Sequence, residues 1–229
     1  MSSSAVISKR LLSAAEFVRQ GAYFADIGTD HAYLPIFLLK SGKISRAVCA
    51  DINQGPLDSA KKNAEAECLF DKMKFFLTDG AAALAGEGVT DYAICGMGGE
   101  LIADIIDRAP HLRAHGIRLI LQPMTKPAVL RRYLAENGFK MLSESYSYDA
   151  GKYYLCICAE YSGECVKISD LEAEFGDLSE RAATTAAERG YMEAKVRSLT
   201  RAASGKARGN DNSSSEAIML SELERRNLI

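Results

Sequence analysis

Four short apolar runs in the first half of the chain, Tyr23–Ile27, Arg46–Ile52, Met73–Leu77 and Asp91–Cys95, each end on an aspartate or a glycine-rich turn. A fifth, Ile117–Leu121, ends at Gln122-Pro123. Runs this short and this continuously apolar read as strands buried on both faces; a strand with one wet face would alternate. Helical patterns separate them at Leu34–Lys40, Gly55–Glu67, Leu101–Arg108 and Pro127–Asn137. Pro56 falls in a first helical turn, where its missing N–H costs nothing, and Gly138 follows a helix as a C-cap. Strand–helix alternation of this kind predicts an α/β fold with a mainly parallel sheet covered by helices. Two longer strands, Met141–Tyr148 and Tyr153–Glu160, flank Asp149-Ala150-Gly151-Lys152, a hairpin turn that adds antiparallel strands at one edge and brings the sheet to seven. An amphipathic helix over residues 8–19, with Leu11, Ala15 and Val18 on one face, precedes the first strand.

This accounts for residues 1–162 as one domain, and residues 163–229 differ in composition. Residues 170–204 are rich in Ala, Glu and Arg and read as helical, with Met192, Val196, Leu199 and Ala203 in one stripe. Gly205–Ser215 reads as a flexible polar loop. Ser213 with Glu216 matches a capping box for a last helix, Glu216–Asn227, carrying Leu220 and Leu223. The expected appendage is a coiled-coil-like helical hairpin; the same stripe also suits packing on the sheet domain.

With 28 Lys+Arg against 30 Asp+Glu, the net charge of −2 leaves no global attraction for nucleic acid, so any such partner needs locally gathered cations. No stretch approaches the roughly 20 apolar residues of a membrane span, and the first ten residues lack the apolar segment of a signal peptide. The six cysteines form no C-x-x-C pair and there are three histidines. Reduced thiols, no metal, no membrane and a cytoplasmic location are expected.

In an open parallel sheet, ligands bind at the carboxyl ends of the strands. The first strand ends Asp26-Ile27-Gly28-Thr29-Asp30-His31, where Gly28 permits a tight turn beside the Asp26 carboxylate. Asp51, ending the second, suits the two hydroxyls of a ribose. Asp79-Gly80 suits an exocyclic amine, and Gly96-Met97-Gly98-Gly99 leaves room close to the backbone. S-adenosylmethionine fits this pattern better than NAD. A pyrophosphate rests on a helix N-terminus behind glycines, whereas here Asp30 takes the second glycine position and its charge opposes a diphosphate.

The stretch Ala25-Asp26-Ile27-Gly28-Thr29-Asp30-His31-Ala32-Tyr33-Leu34-Pro35 closely resembles the first motif of the bacterial tRNA (adenine-N1)-methyltransferases that act on adenine 22, the TrmK family. Ala50-Asp51-Ile52-Asn53, Asp79-Gly80, Gly96-Met97-Gly98-Gly99 and Leu121-Gln122-Pro123-Met124 are similar to its later motifs. The resemblance implies a class I (Rossmann-like) methyltransferase domain with a C-terminal helical hairpin, S-adenosyl-L-methionine as cofactor, tRNA as partner, and methyl transfer to N1 of adenine 22 in the D arm by a monomer. It implies a cofactor site of Asp26, Gly28, Thr29, Asp30, His31, Asp51, Ile52, Asp79, Gly80, Gly96 and Met97. It places the reacting base beside Asp30, His31, Gly98, Gly99 and Gln122. Tyr33, Gln122, Pro123, Lys126, Arg131 and Arg132 are the expected tRNA contacts.

Plainer roles stay open for several of these. Asp-Gly is an ordinary turn pair, Tyr33 suits packing under the next helix, and His31 suits a bond that orients its loop. The basic groups, Lys9, Arg10 and Arg19 among them, suit a solvated face. Two other functions share the pattern: methylation of another RNA or a small molecule, and non-catalytic RNA binding on a degenerate methyltransferase fold.

Overall fold

A computed structural model describes residues 7–207 and 214–229. Its seven strands are β1 (Tyr23–Ile27), β2 (Arg46–Asp51), β3 (Met73–Leu77), β4 (Asp91–Gly98), β5 (Arg118–Thr125), β6 (Phe139–Asp149) and β7 (Lys152–Tyr161). They form one sheet in the order β3-β2-β1-β4-β5-β7-β6. The first five are parallel; β7 runs antiparallel to β5 and β6. The chain builds outward from β1 in one direction through β2 and β3, then returns to build the other way from β4. The crevice where it reverses, above the carboxyl ends of β1 and β4, is where such sheets hold ligands.

Helices α1 (Lys9–Phe17), α2 (Tyr33–Lys40), α3 (Gln54–Ala66), α4 (Gly99–Asp107), α5 (Pro127–Glu136), α6 (Asp170–Phe175), α7 (Ala186–Ala207) and α8 (Ser215–Arg225) cover the sheet. Side chains of a strand alternate between its faces. Phe24 of β1 and Cys49 of β2 pack with Ala14, Leu34, Leu38 and Ala60 of α1–α3. Ala25 and Ile27 point the other way, into a second core with Ile102, Ile106, Leu130 and Leu134 of α4 and α5. That second core continues without a break into Phe175, Tyr191, Met192, Leu199, Met219 and Leu223 of α6–α8. The appended helices therefore close on the sheet rather than forming a core of their own.

Three expectations change. First, β4 and β5 run past Cys95 and Leu121, because the glycine turn and Gln122-Pro123 continue the pairing through a bulge: Cys95 faces Gln122, Met97 faces Pro123 and Gly98 faces Thr125. The residues skipped are Gly96 of β4, at φ +82°, and Met124 of β5. Second, the single helix over 170–204 is broken. Ser169 caps α6 through a reciprocal box with Glu172, and a 3-10 turn over Gly176–Ser179 intervenes before α7. Third, the cap of α8 is Ser214, whose hydroxyl accepts from Ala217 N–H. Ser213 and residues 208–212 of the expected loop lie outside the described residues. No described helix is long and apolar enough to cross a membrane.

Candidate active site at the strand ends

The loop after β1 is folded back onto β2 by two hydrogen bonds: Gly28 N–H and Thr29 N–H both donate to the Ala50 carbonyl, at 2.8 and 3.0 Å. Gly28 sits at φ +76°, and a Cβ there would strike the Met97 methyl group. Glycine thus serves two needs, a left-handed turn and passage for Met97 across the crevice. Asn63 of α3 donates to the His31 carbonyl at 3.0 Å and fixes the end of the loop. The His31 and Tyr33 rings stack at 5.1 Å, with Tyr33 51% exposed, and Asp30 projects into solvent 3.5 Å from His31 Nε2.

Asp26 is buried beneath this loop. Burial pushes its carboxyl up to about 6, against the partial opposition of Thr29 and Arg10, while nearby Asp51 adds to the rise. The Thr29 hydroxyl is buried beside the Asp26 carboxyl and the Cys49 thiol. Arg10 reaches in from α1. Its Nη1 donates to Gln122 Oε1 at 2.9 Å, and Gln122 Nε2 donates back to the Arg10 carbonyl at 2.7 Å. Nη1 is also the nearest atom to Gly96, 3.9 Å from where a Cβ would stand.

The neighbouring strand ends form an apolar floor with carboxylate edges. Asp51 Oδ1 accepts Asn53 N–H at 2.7 Å, which aims the carboxylate along the loop. Ile52 and Leu77 are 61% and 58% exposed, and Leu77 sits in register with Asp51. Asp79 is held by Arg108, closely at Oδ2 (2.7 Å) and loosely at Oδ1 (3.5 Å). Gly80 abuts Ile105 of α4.

Three residues expected to touch the reacting base do other work. Gln122 is fully buried and spends both ends of its amide on Arg10. Gly99 is buried where a Cβ would collide with the Lys126 carbonyl, so it is glycine for close packing of β4 against the β5–α5 turn. Gly98 likewise stands against Thr125, with 3.1 Å to its hydroxyl from a Cβ. Of the glycine turn, Gly96 is the residue with space above it. Cys95 is half-buried beside these groups, and burial pushes its thiol well up, out of the range of a nucleophile.

Comparison with known proteins gives the same site a family. Residues 7–157 match the family described as "Methyltransferase domain". The Bacillus subtilis tRNA (adenine(22)-N(1))-methyltransferase is 35% identical over 154 residues, 67% of this chain and 65% of that one. A Streptococcus pneumoniae protein solved with S-adenosyl-L-methionine, described as a candidate tRNA (m1A22) methyltransferase, superposes with TM-score 0.80 at 33% identity. That superposition covers 97% of this chain and 98% of that chain. The chain belongs to this methyltransferase family. Mycoplasma capricolum TrmK, solved with S-adenosyl-homocysteine, superposes at TM-score 0.74 with 28% identity, covering 96% of this chain and 95% of that one. In the alignments with curated relatives the chain spans between about half and two thirds of their length, 53% to 65%.

Among the expected tRNA contacts, burial excludes Arg131 and Pro123, while Arg132 and Lys126 stand in ion pairs at the surface. Arg131 is fully buried and forked onto Glu144 at 2.6 and 2.9 Å, while its Nη1 donates to the Ala173 and Glu174 carbonyls that end α6. No substrate reaches it. Arg132 donates to the Ile168 carbonyl and pairs with Asp170, holding the strand-to-helix linker. Pro123 is buried in β5. Lys126 is exposed and paired with Glu100 at 2.6 Å. Two residues that the sequence reading did not place in the site belong to it. Leu77 is the last residue of β3, and its exposure at a strand end is visible only once register is known. Arg10 shares a helix with Lys9 and carries no motif; three-dimensional closure of α1 brings it to the crevice.

Proposed function

We propose that the chain transfers a methyl group from S-adenosyl-L-methionine to N1 of adenine 22 in tRNA, as a cytoplasmic monomer. On this reading, residues 1–162 form the catalytic unit and 163–229 a helical appendage. The observation that carries the reading is the ordered set of strand ends: Asp26 with Thr29, Asp51 with apolar Ile52 and Leu77, then Asp79-Gly80 and Gly96. This donor set fits the cofactor group by group. The Asp51 carboxylate suits the ribose hydroxyls, Ile52 and Leu77 flank a purine, and Asp79 Oδ1 accepts its amine. Thr29, Asp26 and the space over Gly96 suit the charged amino-acid end. The same family frame supports the reading, since relatives are tRNA (adenine(22)-N1)-methyltransferases and one is solved with S-adenosyl-L-methionine.

The cofactor supplies a methyl group on a positively charged sulfur, a good leaving group. Adenine N1 has a lone pair and no proton at neutral pH, so the protein needs no strong base. The N1–carbon bond forms as the carbon–sulfur bond breaks, its electron pair goes to sulfur, and the positive charge passes to the base. The residues' work is alignment and charge. Met97 lies across the crevice beside Gly28, Arg10 and Gln122 hold α1 over the strand ends, and Tyr33 offers an exposed face to a base extruded from the tRNA. The test is methylation of an unmodified tRNA transcript followed by nucleoside analysis and position mapping. Formation of 1-methyladenosine at position 22 is expected; its absence refutes the reading.

A further inference from the structure

A cleft of about 350 Å³ opens between the start of α1 and the β6–β7 turn, bordered by Ser8, Arg10, Tyr33, Asp149 and Tyr154. Its size lies in the range of small-ligand pockets, roughly 300–1,000 Å³. It adjoins the strand-end crevice, because Arg10 and Tyr33 border both. The Ser8 hydroxyl is buried yet has no hydrogen-bond partner among the described residues, although Ser8 occupies the cap position of α1, where a serine ordinarily bonds the helix. Asp149 Oδ2 accepts the Arg10 backbone N–H at 3.3 Å, which orients the carboxylate and leaves Oδ1 for another donor.

From this geometry we infer that the cleft is the pocket for the extruded adenine, and that Asp149 selects it by accepting its exocyclic amine. This deepens the function proposed above and rests on it. Tyr33 and Tyr154 supply aromatic surface for stacking. A carboxylate at the amine rejects a purine bearing a carbonyl there, since two acceptors then face each other. The amine is the neighbour of N1, so gripping it also fixes N1. As the methyl transfers, positive charge spreads from N1 onto that amine, and the carboxylate stabilises it more in the transition state than before. Asp149 is therefore a specificity-determining residue whose effect falls on kcat as well as KM.

The experiment uses full-length protein and two tRNAs, one with adenine at position 22 and one with purine, the same ring lacking the amino group. Wild-type protein is expected to methylate the purine tRNA roughly 10- to 100-fold less efficiently, the size of a charge-assisted hydrogen bond. Asp149→Ala is expected to lose about the same factor on adenine and to narrow the gap between the two tRNAs to what the weaker nucleophilicity of purine N1 leaves, with unchanged S-adenosyl-L-methionine affinity by calorimetry. Asp149→Asn, which keeps an acceptor oxygen, is expected to restore part of the preference. Ser8→Ala, which leaves Asp149 in place, should weaken KM and keep the preference. A preference that stays at its wild-type size in Asp149→Ala overturns the assignment while leaving the methyltransferase reading intact. Absence of methylation of either tRNA by wild-type protein overturns that reading, and this one with it.

Discussion

Arg131 separates a structural cation from a substrate contact, and replacing it by alanine has a calculable consequence. The guanidinium is fully buried and Glu144 is 5% exposed, so neither charge has water to fall back on. Burial disfavours the charged guanidinium, and the Glu144 carboxylate more than offsets this, holding Arg131 above the ordinary arginine value. Truncation leaves Glu144 buried with the Tyr146 hydroxyl as its remaining partner and removes the donor to the Ala173 and Glu174 carbonyls. Losing one partner of a buried pair costs about 3–5 kcal/mol. For a chain of this size each kcal/mol lowers Tm by roughly 2–4 °C, so Arg131→Ala should melt about 6–20 °C below wild type. Combining Arg131→Met with Glu144→Leu removes both charges and should recover much of the loss. Thermal unfolding followed by circular dichroism, alongside filter-binding of tRNA, reads both quantities. A variant with wild-type Tm and weakened tRNA binding would refute the reasoning, because the guanidinium would then be reaching phosphate.

The other predictions concern the crevice. Gly28→Ala forces an L-residue to φ +76° and displaces Met97, so S-adenosyl-L-methionine affinity should fall at least tenfold in calorimetry, with a stability cost of about 1–2 kcal/mol. Asp26 has a raised carboxyl, about 6 against the usual value near 4. The folded state therefore holds its proton more tightly than the unfolded chain. Stability from this group is complete below about pH 4 and lost as pH rises through about 6, a change on the order of 2–3 kcal/mol. Asp26→Asn should abolish that slope in denaturant titrations at pH 4–7 and remove any gain in cofactor affinity above pH 6; an unchanged slope contradicts the assignment. Arg10→Ala should leave the fold intact, lower kcat and raise the KM for tRNA, since it removes the Nη1 bond to Gln122 Oε1 and leaves only the Gln122 bond to the backbone carbonyl of residue 10; a Tm drop with normal kinetics would make Arg10 merely structural.

The fold was legible because strands buried on both faces leave continuous apolar runs, and helices that cover them leave period and caps. β1 and β3 stand where their composition put them. β4 and β5 ran longer than expected because a bulge at Gly96 lets glycines and a proline remain in a ladder, which composition alone reads as a turn. The carboxylates of the crevice could be read because each lies close to the end of an apolar strand. The substrate side proposed above could not, because it is assembled by closure. Arg10 and Ser8 come from α1 and Asp149 and Tyr154 from the hairpin, more than 130 residues apart in sequence. The misplacing of Arg131 has the same origin: Lys126, Arg131 and Arg132 cluster in sequence and meet Glu100, Glu144 and Asp170, but only the pair of Arg131 with Glu144 is buried, which sequence does not reveal.

That pairing also explains how a chain of net charge −2 can serve an anionic partner. Phosphate attracts cations not already neutralised by a neighbour, and exposed ion pairs are a weak attraction that long-range fields see as nearly zero charge. Arg19 is committed to Asp91, Arg108 to Asp79 and Asp104, and Arg181 to Asp177 and Glu188. Lys9 and Lys152 are exposed and form no ion pair among the described residues. Lys9 begins α1 and Lys152 begins β7, each close in sequence to residues that border the Ser8–Asp149 cleft. The binding field is then set by where unpaired cations stand rather than by the overall sum. An exposed cation without a carboxylate beside it therefore contributes more to that field than one held in an ion pair.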